Sequence, residues 1–146
     1  MPVGSSTLLS PLTAELDPPP ALPLAGTALF LDLDGTLAPL AERPQDVAPE
    51  PRRTRLIERL TAGLDGRLAV VSGRTLADID RILERRVLCV AAVHGLVRRG
   101  GDGEVIEAPP HPALAHAVCA FRGVARRDAG LIVEEKGASV ALHFRL

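Results

Sequence analysis

Two aspartates, Asp32 and Asp34, stand two residues apart at the end of the apolar run Leu29-Phe30-Leu31, and Gly35-Thr36 follow at once. Read as a strand, this run sends alternate side chains to one face, so the two carboxylates share a side at most about 7 Å apart. Ionised carboxylates at the edge of an apolar core must be paired, solvated or bound to metal. Gly35 lets the chain turn sharply and come close to a ligand. Three readings share the pattern: two acids working on a bound substrate, a calcium loop, and a solvated turn. A calcium loop needs further oxygen ligands after Asp34, where the chain has Leu37, Ala38, Pro39 and Leu40. A solvated turn has no need of the apolar run before it.

Ser72-Gly73-Arg74 is a second candidate, placed after the apolar stretch Leu68 to Val71 and before Thr75. A hydroxyl and free backbone N–H groups at the start of a helix can hold a phosphate. The same tripeptide also suits a plain turn, and an arginine in a first helical turn is commonly solvated. His94, before Gly95, reads as a ligand or as a buried strand-end histidine. Glu134 and Lys136 could face a polar substrate or form a solvated pair worth little. His143 sits between apolar neighbours and reads as core, while His111 and His116 have no partner pattern.

The elements that must position these groups alternate along the chain. Thr27 to Leu33 predicts a first strand. Pro39, Pro44 and Pro49 make Ala38 to Pro51 a surface loop. From Pro51 the spacing of Leu56, Ile57, Leu60 and Leu64 predicts a helix, with Gly63 or Gly66 at its end. Arg67 to Ser72 is a second strand. Thr75 then caps a helix carrying Leu76, Ile79, Ile82 and Leu83, with Asp78 placed as in a capping box. Val87 to Val93 is a third strand, closed by His94-Gly95. Such alternation predicts a parallel α/β sheet with ligands at the carboxyl ends of its strands.

After Gly95 the pattern changes. Leu96 to Ala108, around Gly100-Gly101-Asp102-Gly103, reads as a hairpin. Pro112 to about Arg127 is a helix with Leu114, Val118, Phe121 and Ala125 on one stripe. Leu131 to Glu135 and Ala138 to Arg145 are two strands joined at Lys136-Gly137. The expected division is a flexible Pro-rich lead-in over 1–25, an α/β core segment over 26–108, and the start of a second, smaller α+β domain over 109–146.

Bulk properties narrow the partners. A net charge of −1 gives no electrostatic case for nucleic acid or an anionic membrane. No window reaches the roughly 18 apolar residues of a membrane span. The N-terminus lacks a basic n-region and is broken by Pro2, Pro11 and Pro18 to Pro20, which argues against a secretory signal. Cys89 and Cys119, with no C-x-x-C spacing, read as small core hydrophobes in a reducing compartment. The expectation is a cytoplasmic protein. Of the 17 basic residues only Lys136 is a lysine.

The Asp32-x-Asp34-Gly35-Thr36 strand end resembles the first motif of the haloacid-dehalogenase-like phosphohydrolases, and Ser72 falls where their second motif places a phosphate-holding hydroxyl. Three further pieces resemble the trehalose-6-phosphate phosphatase family: Val71-Ser72-Gly73-Arg74, Val93-His94-Gly95, and Val133-Glu134-Glu135-Lys136-Gly137 leading to Ala141-Leu142-His143-Phe144-Arg145. The resemblance runs from about residue 27 to the end. It implies a haloacid-dehalogenase-like Rossmann-type sheet and hydrolysis of trehalose 6-phosphate through an aspartyl-phosphate on Asp32. Asp34 would act as acid and base. The implied substrate contacts are Asp32, Leu33, Asp34, Ser72, Gly73, Arg74, His94, Glu134 and Lys136. Two acids facing a phosphate dianion call for a cation. Mg²⁺ is the natural one, on the Asp32 carboxylate and, by analogy, the Asp34 carbonyl. Val97 stands where the family often has Glu.

Two further parts that the resemblance calls for, a core lysine and a Gly-Asp-Asp motif, do not occur in these 146 residues. The expectation is therefore a fragment of about half a family member, inactive alone, with the Asp32 strand left as an apolar edge. The alternatives are a non-catalytic remnant, or another capped sugar phosphatase such as a sucrose-phosphate phosphatase. The Glu134-x-Lys136-Gly137 segment argues against the latter.

Overall fold

A computed structural model describes residues 17–144. Most of the lead-in, residues 1–16, lies outside the described residues, as does Arg145. Asp17 to Ala25 carry neither helix nor strand.

Five short strands form one sheet in the order β1-β2-β3-β4-β5. Strands β1 (Leu29–Asp32), β2 (Leu68–Val71) and β3 (Cys89–Ala92) run parallel, while β4 (Val97–Arg99) and β5 (Val105–Glu107) continue the sheet as an antiparallel hairpin. Helices α1 (Pro51–Gly63) and α2 (Leu76–Ile82) connect the parallel strands. Ile57, Leu64, Ile79 and Ile82 from this layer pack with Leu68, Val70, Val90 and Ala92 of the sheet, all nearly inaccessible. Register puts Phe30, Ala69 and Cys89 in one row on the opposite face, and Asp32, Val71, Ala91, Arg98 and Ile106 in the next. That face is open, with Phe30 70% and Ile106 52% exposed.

Helix α1 begins where the sequence places it. Pro51 occupies the first turn, and the Glu50 carboxylate accepts from the Arg52 and Arg53 N–H groups at 2.8 and 2.7 Å. These bonds hold the Glu50 carboxyl below its ordinary pKa. Of the expected stripe, Ile57 and Leu64 are buried and Leu60 packs partly buried against the core, while Leu56 turns outward. Leu56 is 46% exposed, and Arg53 takes the inward position one turn before Ile57. Its guanidinium is satisfied at Nη2 by the Ala48 and Ile82 carbonyls, which staples α1 to the end of α2.

Thr75 caps α2, accepting from the Asp78 N–H at 3.2 Å. The Asp78 carboxylate accepts from the Thr75 hydroxyl at 2.9 Å rather than from the backbone as a full capping box would. The proline-rich loop contains one 3-10 turn, Pro44–Asp46.

Strands β6 (Ile132–Glu135) and β7 (Val140–His143) form a separate two-stranded sheet against α3 (Leu114–Ala125). The α3 stripe of Leu114, Val118, Phe121 and Ala125 is half-buried, as its spacing predicts. Cys119 is exposed and Cys89 half-buried, so neither is the core residue expected of it. Cys119 sits one position off that stripe.

Candidate active site

The three parallel strands end at the same edge of the sheet, and the candidate residues follow from that. Asp32 is the last residue of β1 and pairs in register with Val71, so Ser72 begins just beyond it. Ser72 is buried and donates its N–H to the Ala91 carbonyl at 2.9 Å. The segment after β3 crosses back. The Val93 N–H donates to the Arg74 carbonyl and the His94 N–H to the Ser72 carbonyl, at 2.9 and 3.0 Å.

Val93 and His94 both have positive φ, 50° and 55°. For a β-branched residue this is strained, and it persists only where the surroundings dictate it. Gly73 is equally constrained, since a Cβ there would lie 2.5 Å from the His94 ring. His94 is therefore an exposed ring stacked over the Ser72–Arg74 loop, not a buried strand-end residue.

Arg74 is buried, contrary to the solvated reading. Its Nε and Nη2 donate to the two oxygens of Asp34 at 2.8 and 2.7 Å, and Nη1 donates to the Pro44 carbonyl at 2.6 Å. The bonds to Asp34 raise the Arg74 pKa against the opposing effect of burial. Asp32 is exposed and faces the cavity. Leu33 points the other way, fully buried in the core, so its side chain cannot touch a substrate and only its backbone could. The turn after it is closed by the Leu37 and Ala38 N–H groups on the Leu33 carbonyl and by the Gly35 N–H on the Ala38 carbonyl.

The two-stranded sheet supplies the opposite wall. Lys136 donates from Nζ to the Gly73 carbonyl at 2.7 Å and lies 3.2 Å from Glu134 Oε2. His143 Nε2 shares that Glu134 oxygen at 2.8 Å. His143 is thus part of the site and not of the core. Its signal was present in the hairpin parity: β6 and β7 pair Ile132 with His143 and Glu134 with Ala141, so His143 and Glu134 are diagonal neighbours on one face.

Between these walls lies a cavity of about 620 Å³ lined by Asp32, Asp34, Ser72, Gly73, Arg74, His94, Glu134, Lys136 and His143. Glu42 of the proline-rich loop also lines it, a residue that no pattern singled out. Four carboxylates face two strong cations, Arg74 and Lys136, each already paired with an acid. Such a cavity admits a phosphate dianion only with added positive charge. Among the described residues no cluster of three or more His, Cys, Asp or Glu could hold a metal alone. The donors that fit Mg²⁺ are the Asp32 carboxylate and the Asp34 carbonyl, since this ion binds through one or two protein oxygens plus waters and substrate phosphate.

A mixed sheet whose parallel strands end in this aspartate pair and Ser72 has the fold of the haloacid-dehalogenase-like superfamily, whose phosphatases generally use Mg²⁺. The sequence profile of the trehalose-phosphatase family matches residues 30–146, and the chain belongs to that family. It is 37% identical over 138 residues to a probable trehalose-phosphate phosphatase of Sinorhizobium fredii, covering 94% of this chain and 49% of that protein. It is 32% identical over 119 residues to the trehalose-6-phosphate phosphatase of Escherichia coli, covering 81% and 45%. Among solved structures, the C-terminal domain of the Candida albicans trehalose-6-phosphate phosphatase superposes with a TM-score of 0.68 at 22% identity, over 80% of this chain and 42% of that one. This last likeness concerns the fold alone. The chain spans about half the length of the curated relatives it matches. Among the described residues no helix is long and apolar enough to cross a membrane.

Proposed function

We propose that this chain carries the nucleophile, acid/base and sugar-facing part of a trehalose-6-phosphate phosphatase, working on a sugar phosphate in the cytoplasm. The observation that carries the reading is one cavity with Asp32, Asp34 and Ser72 on the sheet side and Glu134, Lys136 and His143 on the other. One end suits a phosphoryl group and the other the hydroxyls of a sugar.

Asp32 attacks phosphorus and forms the aspartyl-phosphate, releasing the sugar alkoxide. Asp34 protonates that alkoxide and then takes a proton from the water that cleaves the intermediate. Both Asp34 oxygens accept from Arg74, so a proton on Asp34 takes one of the lone pairs that those bonds leave free. Ser72 holds a phosphoryl oxygen, and Glu134 and Lys136 bond sugar hydroxyls through charge-assisted contacts. Mg²⁺, held by Asp32 and the Asp34 carbonyl, supplies the neutralising charge when bound.

The test is phosphate release from trehalose 6-phosphate, sucrose 6-phosphate and glucose 6-phosphate by the protein encoded by the whole reading frame containing these residues. Preference for trehalose 6-phosphate, loss with EDTA and recovery with Mg²⁺ are expected. Equal rates on all three would remove the substrate assignment.

A further inference from the structure

The chain's one lysine does more than face a sugar. Its side chain is nine-tenths buried, and its ammonium is bound to a backbone carbonyl of the phosphate loop. That carbonyl, of Gly73, belongs to the same planar peptide as the Arg74 N–H. The Arg74 N–H donates to Ser72 Oγ at 3.2 Å. Fixing one end of a rigid peptide plane fixes the other. A charge-assisted bond on the carbonyl also polarises the N–H that follows it.

We infer that Lys136 is a positioning residue for the Ser72 hydroxyl, acting through the Gly73–Arg74 peptide. With Oγ occupied as an acceptor by the Arg74 N–H, the serine proton is left to donate into the cavity, where a phosphoryl oxygen would lie. An ammonium has three N–H donors. Gly73 takes one and Glu134 pairs with the charge at 3.2 Å, so a donor remains for a sugar oxygen and the two roles coexist. Lys136 stands in the turn between β6 and β7, so the seating of the two-stranded sheet sets the geometry at the phosphate end. This inference rests on the phosphatase reading for its meaning, but its test does not depend on turnover.

Lys136→Met keeps the apolar stem and removes the donor. In a proton–nitrogen correlation spectrum of the full chain it should move the Arg74 amide resonance while those of Leu68 to Val71 stay in place. Lys136→Arg, which can still donate to the carbonyl, should return the Arg74 signal towards its parent position. Titration with inorganic phosphate in the presence of Mg²⁺ should show affinity weakened about tenfold by Lys136→Met, with no further loss when Ser72→Ala is already present. An unmoved Arg74 amide, or additive effects of Lys136→Met and Ser72→Ala, would overturn the inference. If Lys136→Met does not fold, the parent's single ammonium signal decides. Slow exchange with a cross-peak to Gly73 or Arg74 supports the role, and a freely exchanging ammonium refutes it. Failure to hydrolyse trehalose 6-phosphate, with the Arg74 shift intact, would remove the substrate reading alone.

Discussion

Asp32 and Asp34 are chemically identical, and their surroundings differ. Asp32 stands exposed at the cavity, while both oxygens of Asp34 accept from the buried Arg74 guanidinium. Removing the Asp32 charge should abolish turnover. In the full-frame protein Asp32→Asn is expected to cost several powers of ten, as for other residues that act as a catalytic unit, with the melting temperature unchanged. Turnover within tenfold of the parent would exclude Asp32 as nucleophile. Asp34→Asn should instead discriminate by leaving group. A sugar alkoxide needs a proton and an aryl oxide does not, so the loss should be about a hundredfold or more on the sugar phosphate and much smaller on an aryl phosphate. Equal losses would exclude Asp34 as proton donor. Much of this site was legible in the sequence, because strand-end acids and a Ser-Gly-Arg turn are local patterns. The Arg74–Asp34 pair was not, because it joins residues forty apart in the chain through a contact that only the parallel pairing of β1 and β2 creates.

The elements show where periodicity suffices and where it slips. Proline at the first turn marked the start of α1, and Ile57, Leu60 and Leu64 of the apolar stripe face the core while Leu56 does not. Leu56 and Ile57 are adjacent apolar residues, and spacing alone cannot say which faces inward when a buried arginine, Arg53, shares the inner face. The contrast is measurable by chemical denaturation of the chain. Ile57→Ala, at a site with no exposure, is expected to cost about 2–5 kcal/mol. Leu56→Ala should stay within about 1 kcal/mol, as for other surface changes. Comparable losses at both positions would mean that the helix is rotated from the phase described. The same limit explains His143. Its neighbours Leu142 and Phe144 made it look like core, whereas the hairpin register, once counted from Lys136-Gly137, turns it towards Glu134.

At the scale of the whole molecule, the sheet is covered on one face and open on the other, with β1 as an edge strand. Phe30 on that strand is 70% exposed beside the open row containing Val71. An apolar edge of this kind invites pairing with another chain. The chain should therefore bind ANS and self-associate, and Phe30→Lys should reduce both without lowering the melting temperature. An unchanged sedimentation profile would show that the edge is not the cause. The same architecture bears on catalysis. Asp32, Asp34 and Ser72, proposed above as nucleophile, acid/base and phosphate-holding hydroxyl, are gathered, but each strong cation lining the cavity is already matched to a carboxylate, Arg74 to Asp34 and Lys136 to Glu134. Electrostatic stabilisation of the developing charge is usually the largest catalytic term, and among the described residues no further arginine or lysine lines the cavity to provide it. Residues 1–146 assayed alone with Mg²⁺ at high concentration should hydrolyse trehalose 6-phosphate far below the ~10 per second of ordinary enzymes. Turnover near that value would mean that Arg74 or Lys136 leaves its carboxylate to neutralise the phosphate. The pairing seen here would then be a resting arrangement that substrate breaks.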